Sequence, residues 1–155
     1  MIAIIDYDAG NLMSVKKALD YLGQESVITR DKDFLLAAEK VILPGVGAFS
    51  DAMDKLKNYG LIDVIHEIIE KGTPFLGICL GLQLLFEKSD EAPGIEGLCI
   101  LNGSINRIPD GEGLKIPHMG WNSLNISDIN DPIFKYTKNG DYVYYVHSFY
   151  AKNCN

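Results

Sequence analysis

Residues 73–86 read Thr-Pro-Phe-Leu-Gly-Ile-Cys-Leu-Gly-Leu-Gln-Leu-Leu-Phe, a stretch in which a single cysteine lies between two glycines. The apolar residues after Pro74 predict a buried strand, and the apolar residues after Cys79 recur at helical spacing. Cys79 therefore falls where a strand turns into a helix. A buried strand followed directly by a helix is typical of an α/β fold.

The glycines on either side of this cysteine, Gly77 and Gly81, are what such a turn requires. A residue without a Cβ lets the backbone bend sharply and lets the strand and the helix pack closely. The same arrangement around a serine, G-x-S-x-G, presents a nucleophile at the end of a sheet. The pattern predicts that Cys79 is a nucleophile, although the motif alone is also compatible with a thiol buried in the core.

Strands and helices alternate through the N-terminal part of the chain. We expect strands at 1–6, 25–29, 40–43 and immediately before Cys79, and helices at 11–22, 34–39, 49–58 and 61–71. Such alternation predicts an open, mostly parallel sheet flanked by helices.

The pattern changes in the C-terminal half. Residues 90–125 are rich in Gly, Pro and Asn, and the short apolar runs at 98–101 and 121–126 predict antiparallel strands or long loops. A last β-prone run follows at 142–147. From the length of the chain, we expect residues 1–155 to form a single domain.

Composition excludes several classes of protein. The formal net charge is −7 and the basic residues are spread thinly, which argues against binding to nucleic acid. We expect neither a membrane span nor a signal peptide, because no run approaches about 20 apolar residues and the N-terminus lacks a basic leader. The three cysteines and three histidines show no metal-binding or disulfide spacing, so we expect no metal, no cofactor and a cytoplasmic location.

A second glycine-rich turn, Pro44-Gly45-Val46-Gly47, follows the third predicted strand. Ligands bind beyond the carboxyl ends of the strands in open α/β sheets, so this turn and the cysteine turn are expected to meet there. Acyl transfer to a thiolate creates a negative oxygen that backbone N–H groups stabilise. Val46 and Leu80 are the natural donors, and a plain strand-to-helix turn is the alternative.

Several segments together resemble the class I, or triad, glutamine amidotransferases. They are Asp6-Tyr7-x-x-Gly10-Asn11-Leu12, Pro44-Gly45-Val46-Gly47, Gly77-Ile78-Cys79-Leu80-Gly81-Leu82-Gln83, Ile116-Pro117-His118-Met119-Gly120-Trp121-Asn122 and Tyr145-Val146-His147-Ser148. The cysteine turn with Gln83 marks the family as a whole. The run at 116–122 is most similar to the glutaminase subunits of imidazole glycerol phosphate synthase, of histidine biosynthesis.

The resemblance implies a glutaminase with a class I amidotransferase fold. Cys79 would form a γ-glutamyl thioester with L-glutamine, and ammonia would pass to a (β/α)8-barrel cyclase or synthase in a heterodimer. Residues that match glutamine-binding positions are Gly47, Gln83, His147, Ser148 and Phe149, and those that match positions near the subunit interface are Asn11, His118 and Trp121. Without the resemblance, Gln83 could be a surface residue and Trp121 a core aromatic.

One part of the family pattern is missing. In family members an H-x-E motif near the C-terminus supplies both the histidine that activates the cysteine and the carboxylate that orients this histidine, and this sequence contains no H-x-E. We therefore expect a truncated form of a normal subunit or a non-catalytic homologue, with little glutaminase activity in these 155 residues and with apolar surface left open. An amidotransferase subunit that serves another synthase, and a redox protein with a similar cysteine turn, are further alternatives.

Overall fold

The computed structural model describes residues 1–111, 113 and 115–154. The chain forms two compact units. The first contains residues 1–106 and the end of the chain from Ala151, and the second contains residues 107–150. The chain thus leaves the first unit once and returns to it.

The first unit is built on a four-stranded sheet in the order β2-β1-β3-β4. Its strands are β1 (Ile2–Ile5), β2 (Ser26–Thr29), β3 (Lys40–Gly45) and β4 (Phe75–Cys79). Every neighbouring pair is parallel, which confirms the predicted parallel sheet. All four residues of β1 are buried, as expected for a central strand that is covered on both faces.

Five helices connect or follow these strands. They are α1 (Leu12–Tyr21), α2 (Lys32–Leu36), α3 (Phe49–Asn58), α4 (Ile62–Glu70) and α5 (Leu80–Gln83). Helix α3 buries Phe49, Ala52, Met53 and Leu56, the spacing of one helix face. Helix α1 differs, because none of its residues is buried and the adjacent Leu22 is 65% exposed.

The helix predicted after Cys79 is shorter than the periodicity suggested. Helix α5 ends at Gln83, and the chain continues in a tighter turn in which the Phe86 N–H donates to the Gln83 carbonyl at 3.2 Å. Leu84, Leu85 and Phe86 are all buried. Three consecutive side chains cannot lie on one face of an α-helix, so a turn that buries all three replaces it.

Five further strands follow in the described part of the chain. They are β5 (Lys88–Ser89), β6 (Ser104–Arg107), β7 (His118–Ser123), β8 (Tyr142–His147) and β9 (Phe149–Lys152). Strands β5, β6 and β9 form a sheet in that order, whereas residues 98–101 lie in a loop.

The second unit contains the antiparallel pair of β7 and β8, with His118 opposite His147 at one end and Ser123 opposite Tyr142 at the other. This pair confirms the antiparallel portion expected in the C-terminal half. The predicted run at 121–126 begins three residues earlier, at His118. Across the described parts of both units, no helix has the length and apolar character needed to cross a membrane.

Candidate active site

Cys79 is the last residue of β4 and the N-cap of α5, so strand and helix meet at this one residue. Its backbone has φ 55° and ψ −113°, a conformation that residues other than glycine rarely adopt. Such strain costs on the order of 1–3 kcal/mol and concentrates at functional sites. The thiol-bearing residue is exposed. The predicted cysteine turn is confirmed, and the alternative of a core thiol is wrong.

The glycines around Cys79 are required by close backbone packing. A Cβ at Gly77 would lie 2.7 Å from the backbone nitrogen and Cα of Leu82. A Cβ at Gly81 would overlap the carbonyl oxygen of Leu43 on the neighbouring strand. The helix after the cysteine therefore packs directly on the backbone of β3, and this contact holds Cys79 at the edge of the sheet.

The Pro44–Gly47 turn lies beside the cysteine. Gly45 is the register partner of Cys79 on the adjacent strand, and a Cβ at Gly45 would lie 2.6 Å from the Gly81 nitrogen. Val46 and Gly47 follow as exposed residues, and Gly47 has φ +102°. The structure thus brings the chain segments of both predicted oxyanion donors, Val46 and Leu80, together at the carboxyl ends of β3 and β4.

Gln83 is the last residue of α5 and is half-buried, one helical turn from Cys79. Asn11 is exposed and begins α1, where its side-chain oxygen accepts a hydrogen bond from the Ser14 N–H at 3.3 Å. This N-cap is a structural role that the sequence resemblance did not assign to Asn11.

The loop after β1 is held by a cluster of charged residues. Arg30 donates to Asp6 at 2.8 Å and to Asp8 at 2.6 Å, and its guanidinium lies 4.2 Å from the centre of the Tyr59 ring. The Tyr59 hydroxyl donates to the Asp8 carboxylate, and the Lys55 ammonium donates to the Asp8 carbonyl at 2.8 Å. Hydrogen bonds from Arg30 and then from Tyr59 lower the pKa of Asp8.

In the second unit, His118 and His147 form a hydrogen-bonded chain. The nearest ring nitrogens of the two histidines are 3.2 Å apart, the Asn122 amide lies 3.2 Å from the other nitrogen of His118, and His147 Nδ1 donates to the Phe149 carbonyl at 2.9 Å. The Ser148 carbonyl accepts from the Ile108 N–H at 2.8 Å. The Ser148 and Phe149 carbonyls therefore already accept hydrogen bonds from other groups of the protein.

Trp121 contradicts the core-aromatic alternative. It is 66% exposed on β7, opposite Tyr144 of β8, and the two rings meet edge to face with their centres 5.6 Å apart. A large exposed aromatic side chain on a hairpin is available for contact with another protein.

Among the described residues of the first unit, no hydrogen bond joins the Cys79 sulfur to a histidine or a carboxylate. The described residues also contain no group of three or more His, Cys, Asp or Glu residues able to hold a metal ion.

Comparison with known proteins identifies the family. The model of the glutamine amidotransferase class-I family matches residues 3–155. The chain belongs to this family.

Relatives of this amidotransferase chain carry a more specific name. This chain is 55% identical over 151 residues to "Imidazole glycerol phosphate synthase subunit HisH" of Caldanaerobacter subterraneus subsp. tengcongensis. The alignment covers 97% of this chain and 73% of the relative. The chain is 49% identical over 154 residues to the protein of the same name from Listeria innocua, with 99% of this chain and 73% of the relative covered.

Solved structures support the amidotransferase fold. A glutamine amidotransferase crystal structure aligns with a TM-score of 0.75 at 18% identity, covering 100% of this chain and 76% of the other. A GMP synthase subunit from Thermoplasma acidophilum aligns with a TM-score of 0.64 at 19% identity, covering 99% of this chain and 67% of the other. At these identities the likeness concerns the fold alone.

The predicted site residues of this amidotransferase chain divide between the two units. The first contains Asn11, Val46, Gly47, Cys79, Leu80 and Gln83, and the second contains His118, Trp121, His147, Ser148 and Phe149. Sequence reasoning missed the residues that hold the loops of the first unit, namely Tyr7, Asp8 and Arg30. The only signal was that Tyr7 lies within the N-terminal segment that resembles the family.

Proposed function

We propose that this chain belongs to the glutamine-hydrolysing, ammonia-supplying subunit of an imidazole glycerol phosphate synthase. The observation that carries the proposal is the exposed, strained Cys79 beside the Gly45–Val46 turn. It occurs in a chain that is 55% identical to a subunit with that name.

The proposed reaction is nucleophilic acyl transfer. The Cys79 thiolate attacks the carboxamide carbon of glutamine, and the C=O electron pair moves onto oxygen. The backbone N–H groups of Leu80 and Val46 stabilise this oxyanion. Collapse of the tetrahedral intermediate breaks the C–N bond, and the nitrogen leaves as ammonia after it takes a proton from solvent water. Water then hydrolyses the γ-glutamyl thioester to glutamate and the free thiol.

The other predicted site residues take binding roles in this proposal. Gly47 and Gln83 hold the glutamine, together with the 147–149 segment. Asn11, His118 and Trp121 face the ammonia-accepting partner, which we propose to be a (β/α)8-barrel synthase. The exposure of Asn11 and Trp121 supports the assignment to an interface. A cytoplasmic location stays a prediction.

The family match also bears on the domain organisation. Because the family model spans residues 3–155 and therefore includes parts of both units, we propose that both belong to one amidotransferase domain.

The H-x-E motif that supplies the base in family members does not occur in these 155 residues. The rings of His118 and His147 are hydrogen-bonded to each other, to the Asn122 amide and to the Phe149 carbonyl. General acid–base assistance is worth about 10²- to 10⁴-fold in rate. We therefore propose that these 155 residues alone hydrolyse glutamine very slowly, and that added imidazole increases glutamate formation. Rapid turnover without imidazole would contradict this.

The proposed function is tested by covalent labelling with a γ-glutamyl chloroketone, with the labelled cysteine identified by mass spectrometry. All three cysteines are exposed, so Cys99 and Cys154 serve as internal controls in the same molecule. We expect labelling of Cys79 only, protection by glutamine, and loss of labelling in Cys79→Ser but not in Cys99→Ser. Equal labelling of the three thiols would show that Cys79 has no glutamine site.

The choice of synthase needs a separate experiment. We expect the whole protein to co-purify with a barrel synthase that uses ammonia, and we expect binding of the synthase to stimulate glutamate formation. Co-purification with an unrelated ammonia-accepting synthase would support the proposed glutaminase activity and contradict the assignment to imidazole glycerol phosphate synthase.

A further inference from the structure

Tyr7 is a buried titratable residue that the proposed reaction does not use. Its side chain is completely shielded from solvent in the core of the first unit. Its hydroxyl donates a hydrogen bond to the Pro44 carbonyl at 2.8 Å. A buried hydroxyl is costly unless it is hydrogen-bonded, and its partner here belongs to the turn that carries a proposed oxyanion donor.

The Tyr7 hydroxyl lies close to both chain segments of the oxyanion site. A Cβ on Gly45 would lie 2.8 Å from the Tyr7 oxygen, 2.6 Å from the Gly81 nitrogen and 2.9 Å from the Leu80 Cβ. These three atoms therefore converge on the same side of Gly45. Because Gly45 is the register partner of Cys79, the hydroxyl lies next to the point where the turn meets the nucleophile.

We propose that Tyr7 is a positioning residue for acyl transfer, which holds the Pro44–Gly45 peptide so that the Val46 N–H is presented to the oxyanion. This inference rests on the proposed function. The peptide after Gly45 carries the donor, and glycine leaves that peptide free to rotate. A fixed hydrogen bond one peptide earlier removes part of this freedom before the substrate binds. Preorganised donors are effective because they do not have to reorient during the reaction.

The protonation state of Tyr7 supports this role. Burial, and to a lesser extent the nearby charge of Cys79, raises the pKa of Tyr7 to about 12. The hydroxyl therefore remains a hydrogen-bond donor at any pH at which the enzyme would work. A phenylalanine would fill the same space and lack only the donor.

The test is Tyr7→Phe in the whole amidotransferase, assayed with its synthase partner. Loss of one oxyanion donor costs about 10²- to 10³-fold in kcat, and a donor that is present but misplaced should cost about tenfold. We expect kcat to fall about tenfold and the KM for glutamine to change less than twofold. A γ-aldehyde analogue of glutamine, which forms a tetrahedral adduct with the thiol, should bind about tenfold more weakly.

The matched control is Ile65→Val. Ile65 is fully buried in α4, and its substitution lowers stability without touching the turn. We expect Ile65→Val to keep kcat and the affinity for the aldehyde. Equal losses in both variants, or an unchanged kcat in Tyr7→Phe, would overturn the positioning role. If the unsubstituted enzyme released no glutamate, the proposed function itself would fail.

Discussion

Gly45 and Cys79 lie directly opposite each other on the adjacent parallel strands β3 and β4. The backbone of the Gly45 turn and the first turn of α5 approach so closely that no side chain fits between them. A nucleophile and a flexible turn are thereby placed side by side by the sheet itself. The site therefore depends on backbone packing that side-chain substitutions at these glycines would disturb.

We expect Gly81→Ala to be strongly destabilising. The new methyl group would overlap the Leu43 carbonyl oxygen, and the backbone cannot move without breaking the contact of β3 with α5. The expected loss is about 3 kcal/mol in the free energy of unfolding, the upper end for overpacking. Gly72→Ala is the control, because Gly72 has φ +74° but no atom near its Cβ position, and it should lose about 1 kcal/mol. Urea unfolding of both variants measures the difference, and equal losses would contradict the packing argument.

Much of the fold could be predicted from periodicity. Helix α3 was predicted at 49–58 and is observed at Phe49–Asn58, and β8 was predicted at 142–147 and is observed at Tyr142–His147. Both segments have a clear helical or strand-like pattern, in which local preference and burial agree. The turn at Cys79 was also predictable, because the flanking glycines mark a tight bend.

Long-range contacts could not be predicted. No local pattern shows that the Tyr7 hydroxyl reaches Pro44 or that Arg30 bonds Asp8, since these residues meet only when β1 lies between β2 and β3. The length of α5 was missed because periodicity does not reveal that three consecutive side chains are buried.

Asp8 should make stability depend on pH in the acid range. Hydrogen bonds from Arg30 and Tyr59 lower its pKa below the ordinary value of 3.8, so the folded state binds this proton less readily than the unfolded state. The stabilisation is therefore complete above pH 3.8 and is lost as the pH falls through the lower folded pKa. We expect Asp8→Asn to be less stable than the unsubstituted protein at pH 6, with the difference vanishing at strongly acid pH. Asparagine is suited to φ 58° at this position, so the backbone is preserved. A stability difference between Asp8→Asn and the unsubstituted protein that did not change with pH would contradict the lowered pKa of Asp8.

The His118–His147 pair should be fixed in one tautomeric state. Because the Phe149 carbonyl can only accept, His147 carries its proton on Nδ1 and accepts from His118 through Nε2. His118 is then also protonated on Nδ1, and its Nε2 accepts from the Asn122 amide. We expect ¹⁵N NMR of the uncharged histidine rings to show both His118 and His147 in the Nδ1–H form, which is the minor form of free histidine. His66, which has no such partners in the described structure, is the internal control. Nε2–H rings at His118 and His147 would refute this series of hydrogen bonds.

Tyr7 should make the protein lose stability in the alkaline range. Its pKa is raised from 10.0 to about 12, mainly by burial, so between these values the unfolded state releases a proton that the folded state retains. The unfolded state is then favoured as the pH rises, and the loss reaches roughly 2 to 3 kcal/mol by pH 12. We expect the unfolding free energy of Tyr7→Phe to fall less steeply between pH 10 and 12 than that of the unsubstituted protein. The difference in slope corresponds to about one fewer proton released on unfolding, because phenylalanine does not titrate. Tyr21 is 91% exposed, so Tyr21→Phe should leave the slope unchanged. Parallel pH profiles for Tyr7→Phe and the unsubstituted protein would show that the buried hydroxyl is not retained in its protonated form.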